Sequence, residues 1–249
     1  MLEITNVVKD FDGLRAVEGV SLSVAKGEIV GLIGPNGSGK STLLSMIART
    51  LDVTAGQITL DGHDISHLSS DAAFRLGLAR SYQDPSLFFQ MTVLDNALLP
   101  VKDQSGEHPW YAPWRRFWKE QEGDNARHAS TILKRVNLHN HFANRASDLS
   151  GGQMKLLEMA RSLMGEPKML LLDEPTAGVA PALAYEIFQQ IAALRRESGM
   201  TFVIVEHRLE ILFDFVDTVY VMHMGKVLAQ GTPDEISRNA QVREIYFGD

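Results

Sequence analysis

The sequence predicts an α/β fold, with a mostly parallel core sheet covered by helices, an N-terminal β region and an inserted helical lobe. Three features point there. From residue 168 onward, apolar runs alternate with helical patterns: strands at 168–172, 201–206 and 217–222, helices at 181–197 and 207–215. Such alternation implies parallel strands joined by crossover helices. A buried-type strand at 28–33 also runs through a glycine-rich loop into a helix pattern with Leu43, Leu44 and Ile47. Residues 84–165, by contrast, read as helical.

Taken in order, 2–8 and 15–24 carry apolar and β-branched positions around Asp12-Gly13, a hairpin signal. Gln57 to Leu60 is a strand closed by the Asp61-Gly62 turn signal. Thr92 caps a short helix running to Leu99, and 125–137 forms an amphipathic helix. Residues 101–123, rich in Pro, Gly and charge, are the least regular part. Ser150 and Gln153 have capping-box spacing before the apolar-periodic stretch Leu156, Leu157, Met159, Ala160 and Leu163. Thr232-Pro233-Asp234-Glu235 reads as a helix start: cap, Pro at the first position, Glu at the third.

The 249 residues suit one large α/β domain, or one domain with an inserted lobe. With no cysteine, disulfides and thiolate chemistry are excluded. A formal charge of −7 argues against a nucleic-acid binder, whose phosphate contacts need a basic face. No apolar stretch approaches membrane-spanning length. Met1-Leu2-Glu3-Ile4 has no signal-peptide character. The expectation is a soluble cytoplasmic protein that reaches a membrane only through a partner.

Gly34-Pro35-Asn36-Gly37-Ser38-Gly39-Lys40-Ser41-Thr42 matches the phosphate-loop pattern in full, between strand and helix. Its glycines let backbone N–H groups converge on phosphate oxygens. Lys40 supplies charge for the β- and γ-phosphates of a nucleotide, and Ser41 offers a hydroxyl to Mg²⁺. Met169 to Leu172 then leads into Asp173-Glu174, two carboxylates at the C-terminal edge of a parallel sheet, where ligands bind in open α/β folds. There Asp173 would hold Mg²⁺ and Glu174 would polarise the attacking water. Leu149-Ser150-Gly151-Gly152-Gln153 is a second anion-binding candidate, because two glycines in a first helical turn bare backbone N–H groups at its positive end.

Together these residues resemble the ATP-binding cassette (ABC) ATPases, in the family's order and over nearly the whole chain: loop 34–42, Gln83, signature 149–153, acidic strand 169–174, D-loop region 176–181 and His207. The resemblance implies a P-loop NTPase fold of the ABC ATPase type across 1–249. A nucleotide-binding core would comprise 1–83 and 166–249, with an N-terminal antiparallel β subdomain. The helical lobe, 84–165, would carry the signature. Arg80-Ser81-Tyr82-Gln83, Met91 to Asn96, Val205-Glu206-His207 and the ending Ile245-Tyr246-Phe247-Gly248 are similar to ATPase subunits of branched-chain amino acid importers, with urea and amide importers close by.

By resemblance, Gln83 contacts Mg²⁺ or the attacking water and senses a transmembrane partner, and His207 hydrogen-bonds the γ-phosphate. Phe11 stacks on adenine. Ser150, Gly151, Gly152 and Gln153 close over the ATP held by a second ATPase subunit, identical or paralogous. The other implied partners are permease subunits and, indirectly, an extracytoplasmic solute-binding protein. The implied place of work is the cytoplasmic face of the membrane. Ala180 departs from the Asp or Asn that many relatives carry in the D-loop.

Trp110, Trp114 and Trp118, with Arg115, Arg116 and Lys119, are expected to pack into the helical lobe, an interfacial helix at a membrane being the alternative. His63/His67 and His139/His141 lack completing metal ligands and read as surface residues. Other functional classes fit less well. A lipopolysaccharide-export cassette is a cousin of this branch. DNA-repair cassettes insert a long coiled coil, whereas only about sixty-five residues separate Gln83 from Leu149, without heptads. Ribosome-acting types carry two cassettes in one chain. A regulatory cassette without turnover would not need Lys40, Asp173, Glu174 and His207.

Overall fold

The computed structural model describes residues 1–81 and 86–247. Two compact units emerge, one of 1–83, 168–177 and 184–249, the other of 84–167 and 178–183. The chain runs β1 (Leu2–Phe11), β2 (Leu14–Val24), β3 (Ile29–Ile33), α1 (Lys40–Ile47), β4 (Ala55–Leu60), β5 (His63–Asp64), α2 (Ser70–Arg75) and β6 (Leu78–Arg80). It continues through α3 (Val93–Leu98), α4 (Lys119–Arg135) and α5 (Gly151–Met164). Then come β7 (Met169–Asp173), α6 (Pro181–Ser198), β8 (Thr201–Val205), α7 (Leu209–Leu212), β9 (Thr218–His223), β10 (Lys226–Gly231), α8 (Pro233–Arg238) and α9 (Ala240–Phe247).

The first unit holds both sheets. The antiparallel one has the order β2-β1-β4-β5. Leu2 and Ile4 of β1 face Val24 and Leu22 of β2 on one side, Leu60 and Ile58 of β4 on the other. After Ile4 the register shifts, and Asn6 takes φ 48°. The bulge resets the alternation, so that Val7, not Asn6, is buried.

The larger sheet runs β10-β9-β3-β8-β7-β6. Five strands are parallel, and β10 joins the edge antiparallel to β9. Every residue of β3, β7 and β8 is buried, which is why these strands read as unbroken apolar runs rather than alternating ones. A single core joins the two sheets: Leu2, Ile4 and Val7 pack in one cluster with Leu43, Leu44 and Met46 of α1 and Leu171 and Val203 of the parallel strands. Tyr220, almost fully buried, gives its hydroxyl two partners by donating to Ser23 O at 2.9 Å and accepting from Ser23 N at 3.2 Å. Parallel pairing places the ends of β3, β6, β7 and β8 at one sheet edge, so Gly34, Arg80, Asp173 and the residues after Val205 come together there.

One sequence expectation shifts, and two short strands escape the sequence reading, each for a local reason. The helix expected over 207–215 shrinks to α7, because Glu206 Oε2 accepts the N–H groups of His207 (2.7 Å) and Arg208 (3.4 Å) and holds them in a turn. Strands β5 and β6, of two and three residues, fall below the length at which periodicity can be read, and sheet neighbours supply their hydrogen bonds.

In the second unit, α3, α4 and α5 pack on one another. Buried Ala97, Ala129 and Ala160 sit one on each helix. Asn96 is fully buried, yet satisfied: it accepts from Phe88 N and donates to Phe88 O, both at 2.9 Å, tying the loop before α3 to the helix. Helix α4 starts at Lys119, earlier than expected, with Glu120 and Glu122 in its first turn where the helix dipole favours acids. The tryptophans do not pack as a stripe. Trp110 and Trp114 stay exposed, at 80% and 58%. Only Trp118 is half-buried, its indole N–H donating to Ala112 O at 3.1 Å. Pro113 and the short 3₁₀ turn Arg115–Phe117 interrupt the helix a shared face would require.

Candidate active site

The loop between β3 and α1 is built around its glycines. Gly39 caps α1 in the left-handed region (φ 100°), and a Cβ there would lie 2.6 Å from Ala16 O. No side chain caps α1 and no acid sits in its first turn, so the N-terminal amides are left for an anion. Lys40 is buried, and its Nζ donates to Gly34 O at 2.7 Å and Pro35 O at 2.9 Å. Burial pulls its pKa below the ordinary lysine value, while Glu174 and Asp173 push the other way. Ser38 Oγ is buried without a hydrogen-bond partner among the described residues, an orphan of the kind that marks a missing ligand oxygen. A cavity of about 190 Å³ opens here, lined by Ala16, the loop from Asn36 to Thr42, and Glu174 and His207. A loop rich in bare amides around an orphaned hydroxyl and a buried ammonium fits the phosphates of a nucleotide.

Across the cavity stand the ends of β7 and β8. Asp173 is buried and Glu174 partly exposed. Glu174 adopts φ 50°, uncommon for a side chain with a Cβ, and its N–H donates to Val205 O at 2.9 Å. His207 Nε2 lies 3.0 Å from Glu174 Oε1. A carboxylate paired with an imidazole beside a phosphate cradle can hold and move the proton of an attacking water. For a divalent cation, the fitting oxygens are the exposed Ser41 hydroxyl and the Asp173 carboxylate. Among the described residues no cluster of three His, Cys, Asp or Glu could hold a metal alone, so substrate oxygens would complete a Mg²⁺ shell.

The remaining expected residues are dispersed. Phe11 ends β1, 42% exposed, with Lys9 Nζ 5.1 Å from its ring centroid, and does not line the cavity. Gln83 lies outside the described residues. Ser150 and Gln153 form the expected capping box, with Ser150 N donating to Gln153 Oε1 at 2.8 Å. Gly151 and Gly152 part company, however. A Cβ on Gly151 would meet nothing, whereas on Gly152, which is buried, it would sit 1.9 Å from Leu183 Cδ2. Only the second glycine is required by packing: its missing side chain makes room for Leu183.

Four residues to which the sequence reading gave no site role make notable contacts. Arg80 makes a buried ion pair with Asp173 at 2.8 Å. His141, read as a surface residue, is half-buried with Nε2 3.2 Å from Gln153 Nε2. Tyr246 faces the first glycine of the loop, burial pushing its hydroxyl up to about 12 against the Gly34 N–H. Glu206 is buried and accepts from Thr176 N at 3.1 Å, from the Thr176 hydroxyl, and from His207 N. The available signal was an acid directly after a five-residue buried strand. Glu206→Gln should destabilise the chain by about 2 kcal/mol in urea unfolding, since an amide cannot accept all these donors. Hydrolysis should fall more than nucleotide affinity, because Glu206 anchors the backbone that carries His207.

A glycine-rich loop between a parallel strand and a helix, facing two acids and a histidine at the same sheet edge, defines a P-loop nucleotide-binding protein. The chain belongs to the ABC transporter family, whose model matches residues 17–177, and whose ATP-binding cassettes hydrolyse ATP to power transport. A second model, described as branched-chain amino acid ATP-binding cassette transporter, matches 226–249. The probable branched-chain amino acid transport ATP-binding protein LivG of Methanocaldococcus jannaschii is 40% identical over 253 residues, covering 100% of this chain and 98% of that one. Among solved structures, the ADP conformation of the ABC transporter cassette MJ1267 superposes with a TM-score of 0.87 at 39% identity, covering 100% of this chain and 99% of that one. The dimeric bacterial ABC transporter cassette MJ0796 superposes with a TM-score of 0.79 at 26% identity, covering 94% and 99%. Among the described residues no helix is long and apolar enough to cross a membrane.

Proposed function

We propose that this chain is the ATP-hydrolysing subunit of an importer for branched-chain amino acids, working at the cytoplasmic face of a membrane on permease subunits fed by an extracytoplasmic binding protein. The observation that carries the hydrolytic part is the Glu174–His207 pair facing the 34–42 loop across one cavity. The solute class is supported by the family match at 226–249 and by the naming of the relative.

In this reading the loop amides and Lys40 hold the phosphates of ATP, and Phe11 covers the adenine. Mg²⁺, held by Ser41 and Asp173, would supply charge to the β- and γ-phosphate oxygens, and by family resemblance Gln83 would serve the same ion. Glu174 takes a proton from the attacking water, while Lys40 and His207 stabilise charge on the transferred group. By family resemblance the signature residues Ser150, Gly151, Gly152 and Gln153 serve the ATP of a second subunit; a dimer as such is supported by the dimeric form of a related cassette.

The test is to delete the gene in its host and follow uptake of labelled leucine, isoleucine and valine. Uptake should fall to background and return with the wild-type gene, but not with Glu174→Gln. Loss of urea or amide uptake alone would move the solute, and no transport defect at all would overturn the importer reading.

A further inference from the structure

Arg80 ends β6 beside Leu171 of β7, with only 8% of its side chain exposed. Its Nη2 donates to Asp173 Oδ2 and its Nη1 to Ser45 Oγ, both at 2.8 Å. Ser45 Oγ in turn donates to the backbone carbonyl of Ser41 at 2.7 Å. A rigid guanidinium fork therefore links the end of β7 to the first turn of α1, the two places that carry the candidate cation oxygens. Asp173 is itself 7% exposed, and a carboxylate so buried needs a counter-charge. Lys40 does not make that contact, since its ammonium donates to Gly34 O and Pro35 O. Asp173 Oδ1 carries no hydrogen bond among the described residues.

We propose that Arg80 is the positioning residue of the cation site: it fixes Asp173 through Oδ2, ties that carboxylate to the Ser41 turn, and leaves Oδ1 for a divalent metal. This rests on the reading of Asp173 and Ser41 as metal ligands. Residues that orient a ligand from behind commonly set metal affinity by ten- to a hundredfold. Lysine is no substitute, because a single ammonium on a flexible stem lacks the planar fork that spans both Asp173 and Ser45.

The test uses Mn²⁺ as probe, binding to the ADP-saturated chain and read by electron paramagnetic resonance, with ADP affinity measured separately in EDTA. Arg80→Lys and Arg80→Gln should each raise the Mn²⁺ dissociation constant about tenfold. Metal-free ADP affinity should stay within about twofold of wild type, whereas general damage to the fold would weaken both. Arg80→Lys keeps a buried cation and so reports even where Arg80→Gln folds poorly. Unchanged or tighter Mn²⁺ binding in the Arg80 variants, with weakened binding in Asp173→Asn, overturns the positioning role alone. Unchanged binding in Asp173→Asn removes the metal-site reading itself, and the proposal with it.

Discussion

Glu174→Gln is expected to lower ATP hydrolysis by about 10²- to 10⁴-fold, the range lost when a positioned general base is removed. Nucleotide binding should change little. The substitution keeps the volume of the side chain and retains an oxygen toward His207, which stands 3.0 Å from Glu174 Oε1. The backbone condition is met as well, since Gln tolerates φ 50° no worse than Glu. What disappears is a group that can take a proton from water. If the second subunit's signature closes over ATP, the variant should accumulate as an ATP-bound dimer on size-exclusion chromatography, whereas the wild type should dissociate after turnover. Near-normal hydrolysis in the variant would refute the role of Glu174.

Lys40→Met should weaken nucleotide binding strongly while leaving the chain folded. The Lys40 side chain is buried, so methionine fills its space at small cost, and the carbonyls of Gly34 and Pro35 lose a donor. Charged hydrogen bonds to phosphate contribute roughly 1.5–3 kcal/mol each, which predicts affinity lower by about ten- to a hundredfold or more. Calorimetric titration with ADP and thermal unfolding of the same sample separate the two effects. A binding loss matched by a collapse of Tm would mean that Lys40 mainly supports the loop. Retained affinity would mean that the phosphates lie elsewhere.

The parts of this site legible in sequence are those whose chemistry is local. The 34–42 loop needs its glycines and its lysine within nine consecutive residues, and the Ser150–Gln153 capping box closes within one turn. Strands β3, β7 and β8 were readable because burial on both faces demands unbroken apolar runs. Arg80, Glu206 and His141 were not, since each acts on a partner distant in sequence or on a backbone it shares with nothing periodic. The two signature glycines look alike in sequence, and only the approach of Leu183 distinguishes them.

By itself, then, the sequence determined the class of the protein, its phosphate loop, its acidic strand end and the order of its motifs, because short-range geometry and residue chemistry suffice for those. Tertiary structure alone decided that Asp173 is held by Arg80, that Glu174 meets His207, and that Glu206 shortens the helix after β8. The physical reason is parallel pairing. It brings the C-terminal ends of strands far apart in the chain to one sheet edge, where burial requires each charge to find a partner that no local pattern specifies.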